Sequence, residues 1–300
     1  MNKKDKIIQL INNSLDQKYI KLLSKFRSRK LVYTSFDGDY MHYISNMQKY
    51  CLKDNLIPIN PESALGYYVS TTVHGNKKVP VMIDCLALSL ICEEFYLFNS
   101  KNQKMPEGVI AEVVYWLNKN KKSSITIIDF FDEYFGTGEF CRKSFSLEKS
   151  KSLQKMYNVS EIEQKLFKKF ENQKIKYGYN VANFYNYKHM DWVRAHCYTH
   201  NICPLSPQTI LQYNTYLDLY DNFDRYIFDR LSIMEKADMA MLYINTRNLT
   251  NEIVNLDVYS KLELLHWIKN NDDFEIIDWS EISVPKYKDK DWALTTAEKV

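Results

Sequence analysis

Four short blocks in the first half of the chain return, in the same order, in the second half. Pro58-Ile59-Asn60-Pro61 returns as Pro204-Leu205-Ser206-Pro207, and Asp84-Cys85-Leu86-Ala87-Leu88 as Asp229-Arg230-Leu231-Ser232-Ile233. Cys92 to Phe98 returns as Ala237 to Tyr243, and Glu112 to Asn120 as Glu263 to Asn271. The offset is 146, then 145, then 151 positions. A near-constant offset with one insertion is difficult to produce by chance, so the chain is expected to build one unit twice in tandem.

The first copy shows what that unit is. Leu31 to Phe36, Leu56 to Ile59, Phe95 to Phe98 and Ser124 to Asp129 are short β-branched, aromatic and aliphatic runs of strand length. Between them lie helical patterns: residues 40–54, the stretch around Leu86, Leu90 and Ile91, and a helix opened by Pro106-Glu107-Gly108. Proline at a first helical position followed by an acid is a common helix start. Strand and helix alternating in this way is the signature of a parallel sheet with crossover helices. The expected organisation is an N-terminal helical region 1–30, a first unit 31–130, a connector 131–176, a diverged second unit 177–283 and a polar tail 284–300. The amphipathic stretch 5–26 is expected to pack on the outside of the first unit. The first strand of the second unit is placed near Tyr179 to Tyr185, with Asn183 where the first unit has Thr34 or Ser35.

Composition excludes several classes. The 23 Tyr and 15 Phe argue against disorder. A net charge of +3 offers no strong pull toward nucleic acid, and the lysines between Lys149 and Lys176 read as a solvated helix face. No run approaches the roughly 18 apolar residues of a membrane span, and the N-terminus does not read as a signal peptide. A cytoplasmic protein without a membrane partner is expected. The six cysteines form no Cys-x-x-Cys pair and read as small buried hydrophobes, with no metal site or cofactor expected. In the connector, Phe130 to Phe140 is an aromatic cluster around Gly136-Thr137-Gly138, which reads as a turn rather than a phosphate loop.

In an open parallel sheet, ligands bind at the carboxyl ends of the strands. Glu112 and Asp84 are both expected to face that crevice. The run Tyr33-Thr34-Ser35-Phe36, the helix bearing Asp84, the strand Cys92 to Phe98 and the helix start Pro106 to Glu112 together resemble the nucleoside 2-deoxyribosyltransferase-like superfamily, over roughly residues 30–130. That superfamily includes nucleoside deoxyribosyltransferases and nucleotide N-glycosidases. The resemblance implies an α/β chain of two tandem Rossmann-like (flavodoxin-like) three-layer units with parallel sheets. It also implies action on the N-glycosidic bond of a small-molecule nucleoside or nucleotide.

Cleaving that bond passes through a sugar with cationic character at C1. A carboxylate can attack or stabilise that carbon, a second acid assists the departing base, and a third group orients the nucleophile. The resemblance assigns these roles to Glu112, Asp84 and Tyr33, and places Ser35, Phe36, Glu107 and Gly108 at the substrate. Asp37 and Asp39 would repel a phosphate on the first loop. Asp229 and Glu263 are the second-copy counterparts. Family members commonly build their sites across a subunit interface, so an internal pseudo-dimer or a homo-oligomer is expected. The alternative is a non-catalytic module that binds a nucleotide-derived ligand; a third reading makes the aromatic cluster a docking surface for a protein partner.

Overall fold

The computed structural model describes residues 2–37, 43–66, 78–99, 105–119, 125–129, 141–145, 161–181, 190–211 and 223–282. The aromatic cluster and Gly136-Thr137-Gly138, Asp39, Asn183 and the tail lie outside those residues.

Two helices come first: α1 (Lys3–Ser14) and α2 (Gln17–Leu23). The single helix expected over 5–26 is divided because the Asp16 side chain accepts from the Lys18 amide and starts a new helix. The first unit follows as β1 (Leu31–Ser35), α3 (Ile44–Lys53), β2 (Ile57–Ile59), α4 (Pro61–Leu65), α5 (Lys78–Leu90), β3 (Glu94–Asn99), α6 (Glu107–Lys119), β4 (Ile125–Asp129) and β5 (Cys141–Phe145). Its sheet runs β2-β1-β3-β4-β5, with four parallel strands and β5 antiparallel at the edge. After α7 (Glu161–Glu171) the second unit repeats the plan. It comprises β6 (Lys176–Val181), α8 (Met190–Thr199), β7 (Ile202–Leu205), α9 (Pro207–Ile210), α10 (Phe223–Met234), β8 (Met239–Ile244), α11 (Leu249–Val254), α12 (Val258–Asn270) and β9 (Phe274–Asp278). Its sheet, β7-β6-β8-β9, is all parallel. The protein is thus an α/β chain of two Rossmann-like units. β5 lies within the aromatic and helical connector expected over 131–176, and α7 lies in the lysine-rich stretch of it expected to be helical.

Register confirms the repeat residue by residue. Tyr33 pairs with Ile59 and Phe95; Tyr179 pairs with Leu205 and Ala240, positions displaced by 146, 146 and 145. Glu93 accepts from the Leu31 amide at 2.7 Å, and Asp238 from the Tyr177 amide at 2.8 Å. Asn60 donates to Thr34 in the first unit, while Asn180 donates to Ser206 in the second, so hydroxyl and amide have exchanged strands. The residue matching Thr34 is therefore Asn180, and Val181 stands where Ser35 stands. This corrects the placing of Asn183: β6 begins three residues earlier than the apolar pattern implied.

Each sheet is covered on both faces. Val32, Tyr96, Phe98 and Ile128 pack on Met47 and Cys51 of α3, and Met239, Met241 and Tyr243 pack on Met190, Val193 and Cys197 of α8. The opposite faces, with Tyr33, Phe95, Leu97, Tyr179 and Leu242, join one continuous core that runs through both units.

The helices that precede each first strand are exchanged. α1 packs on α11 and α12, and α2 on α12. Tyr19 and Phe26 meet Phe223 and Phe228. Reciprocally, α7 packs on α5, and its Phe167 and Phe170 meet Tyr115 of α6. The expectation that the N-terminal helix covers its own unit is corrected. An amphipathic stripe requires an apolar surface, and here the other unit supplies it. The caps are reciprocal too: Arg194 of α8 donates to the carbonyls of Ser63 and Ala64 at the end of α4, and Gln48 of α3 donates to Ile210 at the end of α9. Each half thus covers the other in the same way. Among the described residues, no helix is long and apolar enough to cross a membrane.

Candidate active site

In the first sheet the strand order reverses between β1 and β3, and the crevice at their carboxyl ends is where a ligand fits in such folds. Ser35 is the last residue of β1. Strand alternation puts Tyr33 and Ser35 on the same face, toward α6. Glu112 is the sixth residue of α6, and it accepts a hydrogen bond from Ser35 Oγ to its Oε2 at 2.5 Å. Tyr33 lies against the same carboxylate. Its buried hydroxyl meets no partner in hydrogen-bond geometry, and burial together with the charge of Glu112 pushes its pKa well up.

Glu112 is buried, and burial lifts its pKa to about 7. Ser35, Tyr33 and the Cys85 thiol pull it back, while the charge of Glu62 pushes it further up. Among the described residues no cation is paired with it. Glu62, on α4 just past β2, is itself raised by burial and held back by Arg194. Arg194 belongs to the second unit. It crosses to α4 and lies over Gly66, whose φ is +63° and where an added Cβ would sit 2.5 Å from the guanidinium. The charge of Glu62 thus reaches Glu112, and an arginine of the other unit lies beside Glu62.

The remaining expected residues are dispersed. Phe36 packs into the cluster under α3, on the opposite side of the sheet. Glu107 is exposed in the first turn of α6. Gly108 brings α6 close to α5, where an added Cβ would meet the Met82 sulfur at 3.3 Å. Asp84 does not join Glu112. Successive helical residues point about 100° apart, and it is Cys85 that reaches Glu112. Asp84 instead lines a cavity of about 180 Å³ at the junction of the units, one that includes none of Tyr33, Ser35 or Glu112. There burial alone lifts its carboxyl to about 7.

The second copy shows what the same frame looks like when it is closed. Glu263 is the sixth residue of α12 and accepts from Tyr179 Oη at 2.8 Å, as the equivalence with Tyr33 would have it. Arg230, however, stands where Cys85 stands, and its guanidinium is bonded to Glu263 and donates to Tyr226. Both partners are fully buried. Burial raises Glu263 while Arg230 opposes it; burial also works against the Arg230 charge, which Glu263 and the two tyrosines outweigh. The Ser35 hydroxyl is replaced by Val181. Asp229 is likewise neutralised, by Arg29.

Sequence reading missed Glu62, Cys85 and Arg194. For Glu62 a signal was present: Asn60-Pro61-Glu62 is a cap, a first-turn proline and an acid directly after a strand, hence a helix start at the mouth of the sheet. Arg194 pairs locally with Asp191, but nothing local marks its reach to α4, because the carbonyls that it caps there belong to the other unit. Among the described residues no group of His, Cys, Asp and Glu is placed to hold a metal ion. No known protein family, curated protein or solved structure matches this chain.

Proposed function

We propose that the protein cleaves, or transfers at, the N-glycosidic bond of a nucleoside or nucleotide, with Glu112 as the nucleophile. The observation that carries this reading is a buried carboxylate at the switch point, oriented by Ser35 and paired with no cation among the described residues. In the second copy the equivalent acid is tied to an arginine, so only the first copy is proposed to react.

The Glu112 carboxylate attacks C1 of the sugar as the C1–N bond breaks and its electron pair passes to the base. Glu62, raised by burial, supplies the proton that the departing base nitrogen takes up. This gives Glu62 the role that the sequence reading assigned to Asp84. Water or a second base then attacks C1, its proton returns to Glu62 and the Glu112 carboxylate is released. Ser35 positions the carboxylate, and the buried Tyr33 ring lies against it. A low-dielectric surround strengthens the attraction between Glu112 and the developing positive charge.

The test is chromatography of nucleosides, deoxynucleosides and their monophosphates incubated with the protein and with Glu112→Gln. Release of free base, or formation of a new nucleoside, by the parent alone is the expected result. Equal turnover by a folded variant refutes it. A second reading, a ligand-binding module without turnover, is favoured by the closed second copy. Under it, one member of the panel raises the melting temperature while no base is released.

A further inference from the structure

We propose that the cavity at the junction of the units is a binding site for a small guanidinium-bearing compound, held on the Asp84 carboxylate. Asp84 and Asp229 are equivalent positions on α5 and α10. Asp229 is fully buried and its carboxylate is bonded to the guanidinium of Arg29, which enters from the segment just before β1 of the other unit. By the register of the two sheets, the residue equivalent to Arg29 is Ile175, just before β6.

Ile175 lines the cavity beside Asp84. One half of the molecule therefore shows which group its fold accepts against this aspartate, and the other half leaves that place to a cavity of about 180 Å³. A guanidino group with a short substituent is of that size.

The cavity is built for such a guest. Asp84 is 9% exposed and has no hydrogen-bond or ion-pair partner among the described residues. An uncompensated carboxylate in that position is costly unless something pairs with it. Ile83, Ile175 and Ile202 supply flat apolar walls, against which a weakly hydrated planar cation packs better than an ammonium does. Gln173 and Asn201 offer amide oxygens at the mouth. Lys169 also reaches the mouth, but it is exposed and forms no ion pair with Asp84. Burial is what raises the Asp84 carboxyl, and among the described residues no cation offsets it. This site does not depend on the reaction assigned to Glu112.

Titration calorimetry of the full chain with methylguanidinium at pH 8 tests the proposal. The expected result is saturable binding of one equivalent, at least tenfold weaker in Asp84→Asn and unchanged in Glu112→Gln. Methylammonium is expected to bind at least tenfold more weakly than methylguanidinium. Ile175→Arg is expected to rebuild the Arg29–Asp229 arrangement, abolish the binding and raise the melting temperature at pH 8. Absence of saturable heat from the parent protein overturns the proposal. So does Asp84→Asn binding as the parent does, or loss of binding in Glu112→Gln, which would place the ligand in the other crevice. Asp84→Asn is isosteric, so the result stands even if Ile175→Arg fails to fold.

Discussion

Replacing Glu112 by glutamine should make the protein more stable, and only at high pH. The carboxyl is raised from 4.5 to about 7, chiefly by burial. Between those values the folded chain binds a proton at Glu112 that the unfolded chain has released. Stability therefore falls as pH rises through that window, and is level above it. At about 1.4 kcal/mol per pH unit, the loss reaches about 3 kcal/mol by pH 8. Glutamine has the same shape, keeps an oxygen to accept from Ser35 Oγ and never ionises. Urea denaturation of both proteins at fixed pH from 4 to 8.5 should show a difference near zero at the acid end. It should grow through pH 4.5–7 and level at about 3 kcal/mol in favour of the variant, on the order of 5 °C in melting temperature. Asp84 titrates alike in both proteins, and the Glu62 charge is part of what raises Glu112, so the difference reports Glu112 in its surroundings. A difference that does not vary with pH, or a variant less stable at pH 8, would refute the claim that Glu112 is held uncompensated.

Ser35→Ala removes the hydrogen bond that pulls the Glu112 pKa down. The acidic limb of the pH–rate profile should move to higher pH and turnover at pH 7 should fall; an unmoved limb would mean that Ser35 does not touch the working carboxylate. Arg230→Met strands the Glu263 carboxylate in the core and should cost about 3–5 kcal/mol in urea denaturation, most of it recovered by adding Glu263→Gln. Gly66→Ala meets a left-handed backbone and the Arg194 guanidinium at once, and should cost on the order of 1–3 kcal/mol and loosen the closure of the crevice. A melting temperature equal to the parent's would show that Arg194 yields freely.

The two copies show how the fate of one scaffold turns on single positions. Cys85 and Arg230 occupy equivalent places beside equivalent glutamates. A thiol leaves its glutamate uncompensated; an arginine joins its own in a buried pair, which is structure rather than chemistry. Ile175 and Arg29 repeat the contrast at the two aspartates. In both cases the second copy keeps the version paired with an arginine.

The tandem repeat, the α/β class and the grouping of Tyr33, Ser35 and Glu112 were legible in the sequence. Strand and helix periods are local properties, and a residue that ends a first strand must lie near the helix after the adjoining one. Which way Asp84 points was not legible. One step along a helix turns a side chain by about 100°, and neighbouring helices decide whether Asp84 or Cys85 meets Glu112. Nor could the amphipathic stripe of residues 5–26 name its partner, because apolar spacing states that a face is buried and not which surface covers it. The chain alone determined that one unit is made twice and that each carries an aspartate and a glutamate. Only the tertiary structure decided that the halves exchange helices, that Arg194 crosses to α4, and which carboxylates are left without a counter-charge, since pairing across the junction depends on distances that no sequence spacing encodes.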